Sequence, residues 1–200
     1  MMNRREFLFA ASVSSGFMLA GCPSFTTIED DLDAWVPLGL DAFDGVLALF
    51  DPPLAAVLLP VTNLVEAGLK AIEQAISDWE AADALQKPGL LGGIIAGIQA
   101  AEEDIGNFLA AVNVSAPALL LPAKALANII LGILQYFANR LSGAASTASG
   151  TVTVKSGSFQ VEPLNLTHGQ FRAKFDAKAD SLGHPGAHGR WGAHKKKKKK

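Results

Sequence analysis

The chain is short of the residues from which most recognisable chemistry is built. It has one cysteine, Cys22, so no disulfide can form within a molecule. Tyrosine occurs once, and charged residues make up 18%, below the roughly 25% of typical soluble domains. The four histidines, His168, His184, His188 and His194, all lie in the last third of the chain. That placement argues against a di-metal helical bundle, which needs Glu-x-x-His pairs on its inner faces. There is no Gly-x-Ser-x-Gly elbow, phosphate loop, dinucleotide fingerprint or His-Glu-x-x-His helix. No nucleophile-and-base pair stands out. The expectation is a protein that is not an enzyme and that needs no cofactor and no metal.

What the chain has in excess is aliphatic side chains. Half of its residues are hydrophobic, chiefly Ala, Leu, Ile and Val. The formal charge of −2 conceals an asymmetry. Six of the basic residues form the terminal run 195–200 and two more are Arg4 and Arg5. From Cys22 to His194 the chain carries nine basic residues against eighteen acidic ones, about −9. A folded body of that sign is not expected to bind nucleic acid.

Apolar residues recur at helical spacing in four segments separated by breaks. The first holds Leu32, Trp35, Val36, Leu40, Phe43, Leu47 and Phe50, with Asp33, Asp41 and Asp44 off the stripe. Thr26 and Glu29 match a capping box at its start, Pro37 predicts a kink or restart, and Asp51-Pro52-Pro53 ends it. The second holds Val57, Val61, Leu64, Val65, Leu69, Ile72, Ile76 and Trp79, with Pro60 expected to shorten its start, and ends at Lys87-Pro88-Gly89. The third holds Leu91, Ile94, Ile95, Ile98, Ile105, Phe108, Leu109 and Val112, with Glu102, Glu103 and Asn107 outside, and ends at Ser115-Ala116-Pro117. The fourth holds Leu126, Ile129, Ile130, Ile133, Leu134, Phe137 and Leu141. Similar lengths and short Pro/Gly breaks predict a mainly α fold, a four-helix up-down bundle over residues 28–143.

Residues 144–180 read differently. A small-residue linker leads to Thr151-Val152-Thr153-Val154, whose alternation favours a strand paired with 158–161 as a small hairpin. Thr167 and Gln170 form a second capping box, opening a short helix with Phe171, Phe175 and Ala179 on one side. The hairpin and the short helix are expected as an appendage to the bundle. Residues 181–200, rich in Gly, His and Lys, are expected to be disordered. Their histidines offer at most adventitious metal binding.

The N-terminal stretch has Arg4 and Arg5, then an uncharged, largely apolar run over 7–20, then small residues before Cys22. Leu19-Ala20-Gly21-Cys22 resembles the lipobox of bacterial lipoproteins. That resemblance implies that residues 1–21 are a cleaved signal peptide and that Cys22 carries the lipid, with 22–27 as a tether. Arg4-Arg5-Glu6-Phe7-Leu8 resembles a twin-arginine export signal. Asn3 and Phe9 depart from the usual residues at their positions. The resemblance covers residues 1–22 alone. It implies attachment on the extracytoplasmic side of a bacterial cell envelope, at the inner or outer membrane and reachable from the periplasm, through membrane lipid on Cys22.

The leading functional expectation is therefore a lipid-anchored, non-catalytic helical module that serves a structural or interaction role with an unknown protein partner. Two alternatives stand beside it. One is a membrane-active helical protein that inserts or forms pores. Its support is the low charge, the uncharged stretch from Ile105 broken only by Lys124, and the Gly93-x-x-x-Gly97 spacing, which suits close helix contact. The other is a carrier of an apolar ligand held between the helices. The acidic clusters at 29–33 and 102–104 are expected at a helix start and on a solvated face, respectively.

Overall fold

The computed structural model describes residues 25–83, 85–141, 150–154, 157–161, 166–185 and 191. The fold is mainly helical. Helices α1 (Phe25–Leu47), α2 (Pro52–Ala81), α3 (Lys87–Ser115) and α4 (Leu120–Leu141) follow one another, with a 3-10 turn over Pro117–Leu119 before α4. Strands β1 (Gly150–Val154) and β2 (Gly157–Val161) pair antiparallel with Val152 opposite Phe159, and α5 (His168–Ser181) follows. Helix α1 packs on α2, α2 on α3, α3 on α4, and α4 back on α1. The paired strands lie against α3 and α4, and α5 lies against α4 and α1.

The buried residues of the long helices fall on a seven-residue rhythm. In α2 they are Leu58, Thr62, Val65, Leu69, Ile72, Ile76 and Trp79, alternating steps of four and three. In α4, Ala123, Ala127, Ile130, Leu134, Phe137 and Leu141 keep the same steps, with Leu126, Leu131 and Ile133 buried beside them. Such spacing keeps one stripe facing the neighbours along the whole helix, as in coiled-coil-like packing. Phe43 and Phe50 of the α1 region meet Phe108 of α3 edge to face, with centroids 5.2 and 6.1 Å away. Such pairs add about 0.5–1.5 kcal/mol beyond the area they bury.

Helix ends show how the breaks work. Asp51 starts α2: its carboxylate accepts the Leu54 backbone N–H at 3.1 Å, and Pro52 and Pro53 take the first helical positions, where no N–H is needed. Between α2 and α3, the Trp79 indole N–H donates to the Lys87 carbonyl at 3.0 Å while the Lys87 ammonium lies 4.5 Å from its ring centroid. Asp83 accepts from the backbone N–H groups of Leu85 and Gln86.

Several expectations need correction. Pro60 lies inside α2, which begins at Pro52, so it does not shorten the start, and α1 continues through Pro37 without a restart. At Pro60 the carbonyl that loses its partner is that of Ala56, an exposed residue on the solvent side of the helix. Asp41 is buried, because α1 packs on more than one face: every residue from Leu38 to Phe43 is buried. Helix α1 already contains Thr26, which therefore does not precede it, and the side chains of 25–33 lie outside the described residues. Val57 and Leu64 are exposed, and Leu58 and Thr62 take the buried positions of that part of α2.

Helix α5 begins as expected. The Thr167 hydroxyl accepts the Gln170 N–H and the Gln170 side chain accepts the Thr167 N–H. Phe171, Phe175 and Ala179 are fully buried. Phe171 meets Trp35 of α1 edge to face at 5.5 Å, and His168 meets the same indole at 4.5 Å. Part of the tail expected to be disordered is ordered: Ser181 ends α5, and Leu182 and Trp191 pack against the core. Trp191 packs on Phe175 at 5.4 Å, and its indole N–H donates to Asp176 at 2.9 Å. The linker 144–149, His188, His194 and the lysine run 195–200 lie outside the described residues.

Candidate functional site

The residues of the N-terminal motif, Arg4, Arg5, Phe7, Leu8, Leu19, Ala20, Gly21 and Cys22, lie outside the described residues. Three other features could carry function: the space between the helices, a buried carboxyl, and an apolar end.

The space between the helices is lined by apolar side chains, among them Trp35, Ile72, Ile98, Ile130, Leu134 and Phe137. It offers about 10 Å³ to the centre of a water molecule. That is at the lower limit for one buried water, and no polar group is there to hold it. The interior at this level is packed side chain against side chain.

The carboxyl belongs to Glu102. The sequence places it outside the third stripe, yet it is 8% exposed, between buried Ala101 and Ile105 on α3. Its Oε1 is buried without a hydrogen-bond partner, as is Oδ1 of Asn128 on neighbouring α4. Burial disfavours the charged form and pushes the carboxyl up to about 7. Ile94, Ile98, Ala101, Ile105, Phe108 and Val112 form the alternating stripe of α3, and Glu102 lies beside it with Leu109, on a buried face wider than that single stripe. Asp104 is raised too, by burial and then by neighbouring Glu103. Its Oδ2 lies 3.4 Å from where a Cβ on Gly68 of α2 would stand, and Ala101 lies 3.5 Å from the same point. Gly68 is thus the close approach of α2 to α3. Gly93 has open space around it, and Gly97 meets Ile72, so the expected Gly93–Gly97 contact surface is not formed as a pair. Among the described residues, no three His, Cys, Asp or Glu side chains group as metal ligands.

The apolar end is the most unusual feature. Val57, Leu59 and Leu64 are 63%, 53% and 54% exposed, and Val114 and Leu121 are 83% and 76% exposed. Contacts of Gly68 with Ala101 and of Ile72 with Gly97 fix an antiparallel register for α2 and α3. That register sets Val57 level with the last turn of α3, where Val114 lies, and α4 begins a few residues beyond. From 52 to 65 and from 105 to 123 the chain has no charged residue. Helix α2 and the segment Pro117–Asn139 are long and apolar enough to cross a membrane, yet only 28% and 44% of their most apolar 18-residue stretches are buried.

No family model, curated protein or solved structure matches this chain.

Proposed function

We propose that this protein is a lipid-anchored, non-catalytic helical module of the bacterial cell envelope, held on the extracytoplasmic side through Cys22. In this reading α1 to α4 are a four-helix up-and-down bundle, the paired strands and α5 are its appendage, and the bundle offers its surface to a protein partner. The observation that carries it is Leu19-Ala20-Gly21-Cys22 behind a charged start and an apolar run, with Cys22 the sole cysteine. The twin-arginine pattern Arg4-Arg5-Glu6-Phe7-Leu8 would export the domain already folded. The space lined by Trp35, Ile98 and Phe137 is too small for an acyl chain, which favours a structural over a carrier role among the described residues.

The test is metabolic labelling with a fatty-acid analogue, joined to detergent phase partitioning. The parent protein should take up label and enter the detergent phase, and Cys22→Ser should lose both. Label retained by Cys22→Ser, or an unlabelled parent, would sink the anchor.

A further inference from the structure

We propose that the end of the helical assembly built from the first half of α2, the last turn of α3 and the first turn of α4 seats in the hydrocarbon of a lipid leaflet. This surface is separate from the Cys22 anchor and its case does not rest on lipidation. The argument begins with direction. At about 100° per residue, Val57 and Leu64 project within about 20° of one another, whereas Leu59 projects about 160° away from Val57. They therefore flank the buried stripe of α2 on both sides. Between them the outward positions are Pro53, Ala56, Pro60, Asn63 and Ala67, all exposed and uncharged. A protein partner covers one face. A helix that is apolar on both flanks suits a fluid apolar medium that reaches all of them.

Charge points the same way. Between residues 45 and 65 the one charged side chain is Asp51, at the turn where α2 begins, and no basic residue lies in this stretch or in 105–123. Contact with lipid here is hydrophobic and not electrostatic. Asp51 is exposed and is engaged in capping α2, so it favours entry on the side of the helices, with the turn itself near the headgroups. A helix entering on its side lies along the membrane plane, and its diameter of about 10–12 Å is less than half of the ~30 Å hydrocarbon core, so seating is confined to one leaflet. The end also lies away from Phe25, the first described residue: α1 runs 23 residues from there toward it, about 34 Å of helix.

The test places a polarity-sensitive fluorophore at single introduced thiols in the full chain, with Cys22→Ser removing the natural one. Positions Leu59→Cys, Leu64→Cys and Leu121→Cys probe the apolar end, and Glu80→Cys probes the opposite end of α2. Vesicles of phosphatidylcholine carrying brominated acyl chains supply the lipid and the quencher. The expected result is a blue shift and quenching at 59, 64 and 121 and neither at 80, unchanged by added salt. Adding Leu59→Glu and Leu64→Glu should raise the lipid needed to quench the label at 121 at least about tenfold. Both sites are exposed, so the thermal melt should be unmoved. Water-like emission at all four positions overturns the proposal. So does a blue shift that grows with protein concentration in the absence of vesicles, which would assign the surface to a second copy of the chain. Each label reports the depth of its own side chain whatever else tethers the protein, so failure here leaves the anchor reading standing.

Discussion

Replacing Glu102 should flatten the pH dependence of stability. Its carboxyl titrates near 4.5 when solvated and near 7 in the fold. Between those values the folded state holds a proton that the unfolded state has lost, so stability falls as pH rises through this window. Below about pH 4.5 both states are protonated and the cost is absent. Above about pH 7 both are ionised and the cost is complete. A difference of about 2.5 pK units at 1.36 kcal/mol each is about 3 kcal/mol. For a chain of this size that corresponds to roughly 6–12 °C in melting temperature. Glu102→Leu removes the ionisable group and fills a position whose helical neighbours, Ile98 and Ile105, are buried. Measured by urea unfolding from pH 4.5 to 8, the variant should gain on the parent by about 3 kcal/mol across that range. Asp104, raised in the same direction, contributes to both profiles and cancels in the difference. Glu102→Gln should recover less, because a buried amide without partners costs about 1–3 kcal/mol. Parallel profiles for parent and Glu102→Leu would refute the claim that this carboxyl is desolvated.

Gly92→Ala and Gly93→Ala meet open space, so each should raise stability by up to about 1 kcal/mol through helix propensity, and calorimetry showing a loss would reveal a helix contact there. Phe171→Ala should cost about 3–5 kcal/mol in a single cooperative transition followed by tryptophan fluorescence, because the ring is fully buried against Trp35; a loss below about 1 kcal/mol would mean that α5 is only loosely attached. Thr62→Val keeps shape at a buried position where the hydroxyl donates only to the Leu58 carbonyl of its own helix, at 3.1 Å. It should be neutral or stabilising by up to about 1 kcal/mol in urea titrations, and a marked loss would point to a further partner for that hydroxyl.

The helices were legible where polarity contrast was strong, and their phase was lost where it was not. From Val65 to Trp79 the second stripe in the sequence is the buried stripe of α2, because Glu66, Lys70, Glu73 and Asp78 mark the outward side. Before Val65 no charge marks either side, and a reading by polarity chooses Val57 and Leu64 over Leu58 and Thr62. Carrying the steps of three and four backward from Val65 recovers the right residues, even though one of them is a threonine. Glu102 escaped for another reason: Ala101 already fills the interval from Ile98 to Ile105, and the carboxylate beside it was assigned outward by its polarity although the buried face of α3 is wide enough to include it. Helix α5 needed only local chemistry, a capping box and three residues at helical spacing, and both were plain. The docking of Trp191 depends on Phe175 and Asp176, a turn of helix away in space and fifteen residues away in sequence, with glycines around it that set no pattern. The lost contrast in α2 has a physical meaning of its own. A helix meant to face water on one side carries polar residues there, which is why amphipathic phase can be read at all. Residues 52–65 carry almost none, so the stretch that misleads a reading by polarity is the same stretch whose exposed leucines and valine call for an environment other than water.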